Sequence, residues 1–207
     1  WENYADQGGG VYLDETSAVS FSQGYLVANM ASEGAGVEID GGLATFVNVA
    51  SSFNYASSSG GGLLVLDGYG AMTNVTLAGD DSPMGGGIYL SGTSVGDMDN
   101  SVVYGAAAGA GVLADGGATF TGTFNDVYGN VGGNYSGVTD PTGMLGNISV
   151  DPMFVAWTAD GDDTNEDLHL QSSSPCIDAG TPGVASLDAD GTTNDMGAFG
   201  GPGSDWD

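Results

Sequence analysis

The chain has 207 residues, 27 acidic side chains, no Lys or Arg and one histidine, for a formal net charge of −27. That balance disfavours nucleic acid, anionic membranes and acidic polysaccharides as direct partners, because like charges repel. The 39 glycines follow no strict three-residue period, which excludes collagen and calls for many tight turns, and the recurring apolar residues argue against disorder.

In chain order, a glycine-led motif returns five times. It reads Gly8-Gly9-Gly10-Val11-Tyr12-Leu13, Gly34-Ala35-Gly36-Val37-Glu38-Ile39, Gly60-Gly61-Gly62-Leu63-Leu64-Val65, Gly85-Gly86-Gly87-Ile88-Tyr89-Leu90 and Gly109-Ala110-Gly111-Val112-Leu113-Ala114. The starts lie 26, 26, 25 and 24 residues apart, a spacing that marks stacked structural units. Within each motif the apolar residues alternate. Val11, Val37, Leu63, Ile88 and Val112 form one inward column, and Leu13, Ile39, Val65, Leu90 and Ala114 a second. Tyr12, Glu38, Leu64, Tyr89 and Leu113 between them are expected to face out. Further columns are expected at Phe21, Phe46, Met72, Val95 and Phe120, and at Val27, Phe53, Leu77, Val103 and Val127.

These columns predict an all-β fold, a right-handed parallel β-helix of about 25 residues per coil. The coils are expected over residues 1–155, with an irregular, loop-rich C-terminal cap over 156–207 packed on them. A meander or sandwich of short strands is the alternative, and it lacks this register. The first coil starts at Gly8, so its leading strand edge is expected to be open. A chain that begins at Trp1, with no signal peptide or membrane-spanning run, reads as a processed piece of a longer precursor.

The later sequence carries Asn147-Ile148-Ser149-Val150-Asp151-Pro152-Met153-Phe154, then Asp167-Leu168-His169-Leu170 and Ser174-Pro175-Cys176-Ile177-Asp178-Ala179-Gly180. Asn194-Asp195-Met196-Gly197-Ala198-Phe199-Gly200-Gly201 follows. This tail resembles those of bacterial secreted right-handed β-helix proteins of the pectin-lyase-like superfamily. The glycine-triplet coils resemble the repeats of polymorphic outer-membrane proteins. The resemblance implies the fold and an extracellular or cell-surface destination; it implies no single activity, because the fold hosts enzymes, adhesins and scaffolds.

Lyase chemistry of the pectate type needs a cationic base, and the chain has neither Lys nor Arg. Asp80-Asp81, an adjacent carboxylate pair inside the coils, is expected as a solvated turn, His169 as an outward strand residue and Cys176 as a small buried one. Two loops gather hard oxygen donors suited to calcium: Asp160, Asp162, Asp163, Asn165 and Asp167 on the first, and Asp188, Asp190, Asn194 and Asp195 on the second. Neither has the EF-hand pattern, and two solvated acidic turns are the competing reading. Outward Tyr12 and Tyr89 are candidates for a sugar-stacking platform.

The expected function is a non-enzymatic extracellular structural protein, a filament subunit or adhesin scaffold that self-associates through its ends or edges or joins neighbouring segments of a longer precursor. A glycan-binding module and a hydrolase of neutral polysaccharide are the alternatives. No membrane insertion is expected.

Overall fold

In a computed structural model describing residues 1–206, each glycine motif leads into a short strand that stacks in parallel on the next. The first coil holds β1 (Val11–Leu13) and β2 (Ala18–Val27). The second holds β3 (Met30–Glu33), β4 (Val37–Asp40) and β5 (Leu43–Ser52), and the third β6 (Tyr55–Ser59), β7 (Leu63–Leu66) and β8 (Tyr69–Ala78). The fourth has β9 (Ile88–Ser91), β10 (Val95–Asp99) and β11 (Val102–Tyr104), and the fifth β12 (Val112–Ala114), β13 (Thr119–Thr123) and β14 (Asp126–Tyr128). β15 (Tyr135–Ser136), β16 (Phe154–Ala156) and β17 (Asp167–Leu170) follow. β1, β4, β7, β9, β12 and β15 make one sheet; β2, β5, β8, β10, β11, β13 and β14 make another, with β3 and β6 as a short third ladder. The chain is therefore an all-β parallel solenoid of about five turns.

The two inward columns of the glycine motifs pair residue for residue, Val11–Val37–Leu63–Ile88–Val112 and Leu13–Ile39–Val65–Leu90–Ala114. They are the centre of the solenoid core. Each fully buried aliphatic side chain there contributes about 1.5–3 kcal/mol relative to exposure.

The column between them departs from expectation. Tyr12 is 43% exposed, but Glu38 and Leu64 are 0% exposed and Tyr89 is 7% exposed. Glu38, Leu64 and Tyr89 stand on inner strands of the stack and Tyr12 on the edge strand β1, although Gly8 makes the same close turn beside Tyr12 that the later motif glycines make beside the others. Gly34, Gly60 and Gly85 have φ of 55°, 66° and 66°, and a Cβ at each would lie 2.5–2.6 Å from the Cβ of Glu38, Leu64 or Tyr89. The left-handed turn folds the chain across the outward side chain, which only glycine allows at that distance. Alternation gives the side of the strand; it does not say what covers that side.

The other two columns hold in part. Phe21, Phe46 and Met72 are in register, but the next partners are Met98 and Gly122, not Val95 and Phe120. The turn Asp67-Gly68 between β7 and β8 becomes Gly92-Thr93-Ser94 between β9 and β10. That added residue puts Val95 opposite Tyr69, on the outer face, since an odd displacement exchanges faces. In the last column Leu77, Val103 and Val127 align, preceded by Leu26 and Ser51 in place of Val27 and Phe53. Phe53 has φ 55° and leaves the ladder to stack on Trp157, ring centroids 5.0 Å apart.

After β14 the chain crosses the last coil, pairs β16 with β17 antiparallel, and returns along the solenoid flank. Gln23, Asn48, Asn74 and Asn100 hold that return segment from successive coils, all with φ of 51–54°. Asparagine is among the few side chains that tolerate this left-handed conformation. Thr181 N donates to Asn100 Oδ1 (2.7 Å), Asn74 Nδ2 donates to Asn194 Oδ1 (2.8 Å), and Asn48 Nδ2 donates to the carbonyls of Ala198 (2.8 Å) and Gly200 (2.7 Å). Gln23 Nε2 reaches the Gly203 carbonyl at 3.4 Å. A second apolar cluster, including Ala50, Ala78, Val102, Phe154, Cys176 and Met196, fills the space between flank and tail. The C-terminal segment is thus a strap along the side of the coils as well as a cover at their end.

Candidate functional site

The strap and the β17 hairpin build a cleft against the first two coils. His169 on β17 stacks on Phe199 of the strap at 3.8 Å, and Phe199 on Trp206 at 5.1 Å. Trp206 meets Tyr25 of β2 at 5.1 Å, and Tyr25 meets Trp1 at 6.4 Å. The cleft encloses about 440 Å³, with Trp1, Tyr25, His169 and Phe199 on its walls together with Asp163, Glu166 and Asp167. Asp163 Oδ2 accepts the Trp1 indole N–H at 2.8 Å. Glu166 accepts from Thr158 N (2.9 Å) and Thr158 Oγ1 (2.6 Å), and Asp167 Oδ1 lies 2.7 Å from His169 Nδ1. Aromatic surface beside carboxylates, in a chain without Lys or Arg, gives a site of negative potential suited to neutral or positive guests. Sequence reasoning missed Trp1, Tyr25, Phe199 and Trp206. They lie at opposite ends of the chain, and no spacing signal links them.

The expected calcium ligands are placed differently. On the first loop Asp160 accepts from Asp162 N (2.9 Å) and Asn165 Nδ2 (3.2 Å), and Asp162 accepts from Thr164 N (3.0 Å) and Oγ1 (2.6 Å). Asp163 and Asp167 face the aromatic cleft. On the second loop Asp190 accepts from Thr192 N (2.9 Å) and Oγ1 (2.6 Å), while Asp188 accepts from Asp195 N (3.1 Å) and from Gly201 N. Asn194 is buried against Asn74. Among the described residues no three His, Cys, Asp or Glu side chains converge on a common point that could hold a metal. Most of the loop oxygens cap their own turns in this arrangement and are not gathered into the six to eight oxygens that calcium takes.

The tyrosines do not form a platform. Tyr12 and Tyr89 stand three coils apart with buried Glu38 and Leu64 between them, and Tyr89 gives its hydroxyl to Asp115 Oδ2 at 2.9 Å. Asp80 is no solvated turn residue either, being 1% exposed. It ends a ladder in which Asn29 N and Nδ2 donate to Asn54 Oδ1, and Asn54 N and Nδ2 donate to Asp80 Oδ1. Ser51 Oγ binds Asp80 Oδ2 at 2.7 Å. Burial nevertheless pushes the Asp80 carboxyl up to about 7. Burial, reinforced by the Glu33 charge, does the same to Glu38, whose carboxylate accepts from Gln7 Nε2 (3.0 Å) and Gly8 N (3.2 Å).

Burial also raises Asp126 to about 6, although Val150 N donates to it. Its other oxygen takes the thiol of Cys176 at 3.3 Å; Cys176 is fully buried, as expected, and burial with the Asp126 charge pushes its thiol well up. Asp195 rises to about 6, by burial and by the charges of Asp188 and Asp178.

At the opposite end of the coils, β1 pairs only with β4 and β2 only with β5. Val11, Val19, Phe21 and Leu26 rim that end, each partly buried against the core. Among the described residues the leading edge of β1 and that of β2 before Val27 carry no strand partner, whereas Glu2 N donates to the Val27 carbonyl and Tyr4 and Gln7 bridge to Met30 and Glu33 of β3. The coils and strap class this chain as a parallel β-solenoid with a flank-bound tail. No protein family, curated protein or solved structure matches it.

Proposed function

We propose that this chain is a non-enzymatic structural protein of the extracellular space or cell surface, akin to the bacterial secreted β-helix proteins its tail motifs resemble, and that it assembles through the leading end of its solenoid. One observation carries the reading: among the described residues the edges of β1 and of β2 before Val27 lie unpaired around the apolar rim of Val11, Val19, Phe21 and Leu26. Unpaired edges template the pairing of further strands, and apolar cross-sections of repeat proteins require covering. A second copy of the chain supplies both. The extracellular setting rests on the resemblance. Calcium enters as a counter-ion at the acidic loops, where it lowers repulsion between subunits that each carry a charge of −27.

Light scattering and negative-stain microscopy across a sodium chloride series test this. Dimers or filaments are expected as salt rises, with dispersal in dilute buffer containing chelator. Val19→Lys, which puts a charge on the rim, is expected to block assembly while leaving the melting temperature nearly unchanged. A wild-type chain that stays monomeric throughout and releases sugar from a neutral polysaccharide panel would replace the scaffold by the hydrolase reading.

A further inference from the structure

The aromatic cleft lies on the flank, where Tyr25 brings it beside the β2 edge of the leading end, and its chemistry does not rest on assembly there. We propose that it binds a small organic cation of the ammonium or guanidinium class. Its volume of about 440 Å³ falls in the range of small-molecule sites. Trp1, 69% exposed, and Tyr25, 41% exposed, supply open ring surface from two separate segments, while Phe199, stacked on His169 and Trp206, closes the wall. Rings of this kind attract a cation within about 6 Å of their centroids.

The charge of the walls selects the cation over a neutral sugar. Asp163 and Glu166 are held by the indole N–H of Trp1 and by Thr158 N and Oγ1, all uncharged donors that orient the carboxylates without neutralising them. The whole chain has no Lys or Arg to do so. A neutral sugar gains ring contact alone; an ammonium or guanidinium gains ring contact and two oriented carboxylates. The source is either a free small molecule or the side chain of a Lys or Arg on another protein, and the cleft chemistry is the same for both.

Calorimetric titration with choline and with its uncharged isostere 3,3-dimethylbutan-1-ol tests the charge requirement on the wild-type protein. About 0.5 M sodium chloride shortens the Debye length to about 4 Å and suppresses diffuse attraction to the acidic surface. Choline is expected to bind at least about tenfold more tightly than the alcohol. The paired substitution Asp163→Asn with Glu166→Gln is expected to erase that difference, while Asp14→Asn, on a remote turn, leaves it intact. Trp1→Ala is expected to weaken both ligands. N-acetyl-arginine amide, run beside choline, assigns the source: tighter binding of the amide points to a protein side chain, tighter binding of choline to a free cation. Equal affinities for choline and the alcohol, no heat from either cation, or choline binding indifferent to the paired substitution would each overturn the proposal.

Discussion

Asn74 and Asn194, 120 positions apart, exchange amide hydrogen bonds: Asn74 Nδ2 donates to Asn194 Oδ1 at 2.8 Å, and Asn194 Nδ2 returns to Asn74 Oδ1 at 3.3 Å. Both side chains are buried. This pair clasps the strap to the third coil, and through the strap it holds one wall of the aromatic cleft.

Asn74→Ala is expected to destabilise the fold by about 2–4 kcal/mol. It strands the buried Asn194 amide, at about 1–3 kcal/mol, and puts alanine into a left-handed conformation at further cost. Asn74→Gly removes the conformational part and should recover some of the loss. Urea unfolding of the two variants checks this. A loss below about 0.5 kcal/mol for the alanine variant would mean that the strap is held elsewhere.

The register makes a paired prediction. Val37→Asp buries an unpaired carboxylate between Val11 and Leu63 and is expected to cost several kcal/mol. Val95→Asp, on the outer face beside Tyr69, should stay within about 0.5 kcal/mol. Comparable losses at both sites would contradict the exchange of faces produced by the Gly92-Thr93-Ser94 turn.

Stability is expected to fall from pH 5 to pH 8. Glu38 and Asp80 are raised to about 7 in the fold, and Asp126 and Asp195 to about 6. The folded state therefore holds protons that the unfolded chain has released. This contribution is complete below the ordinary carboxylate range near pH 4 and is lost as pH rises through 6 to 7. Urea midpoints at constant ionic strength would follow it. Asp80→Asn keeps an oxygen for Asn54 and gives Ser51 an N–H, so it should raise stability at pH 8 and matter little at pH 5.

Calcium is expected to stabilise the chain no more than sodium chloride of equal ionic strength. The oxygens of Asp160, Asp162 and Asp190 already cap their own loops. Melting curves with calcium and with chelator, compared at matched ionic strength, should coincide. A rise in melting temperature with calcium alone would show that the loops rearrange around the ion.

Much of the fold was legible because its signals are local. Val37, Leu63 and Ile88 announce themselves by alternation within a strand and by recurrence at a near-constant period, and both follow from chain geometry that needs no distant contact. The open edge of β1 was legible for the same reason, but the bridges of Tyr4 and Gln7 to β3, which begin the coil before Gly8, were not. The register of Val95 was not, since one added turn residue exchanges faces while leaving composition unchanged. Tyr89 and Asp80 were misplaced because alternation and turn chemistry describe a strand or loop by itself. Tyr89 is buried inside the stack of coils, and Asp80 at the end of the asparagine ladder.

The cleft belongs wholly to tertiary structure. By itself the sequence determined a parallel solenoid with aliphatic columns and a surface without Lys or Arg. It could not place Trp1 and Tyr25 near Phe199 and Trp206, because that proximity depends on the path of the strap. That path is set by amide hydrogen bonds from Gln23, Asn48, Asn74 and Asn100, each held in a left-handed conformation where its coil turns outward. In the sequence these four are ordinary polar residues; only the stacking of coils lines them up as one row of donors and acceptors for a segment far along the chain.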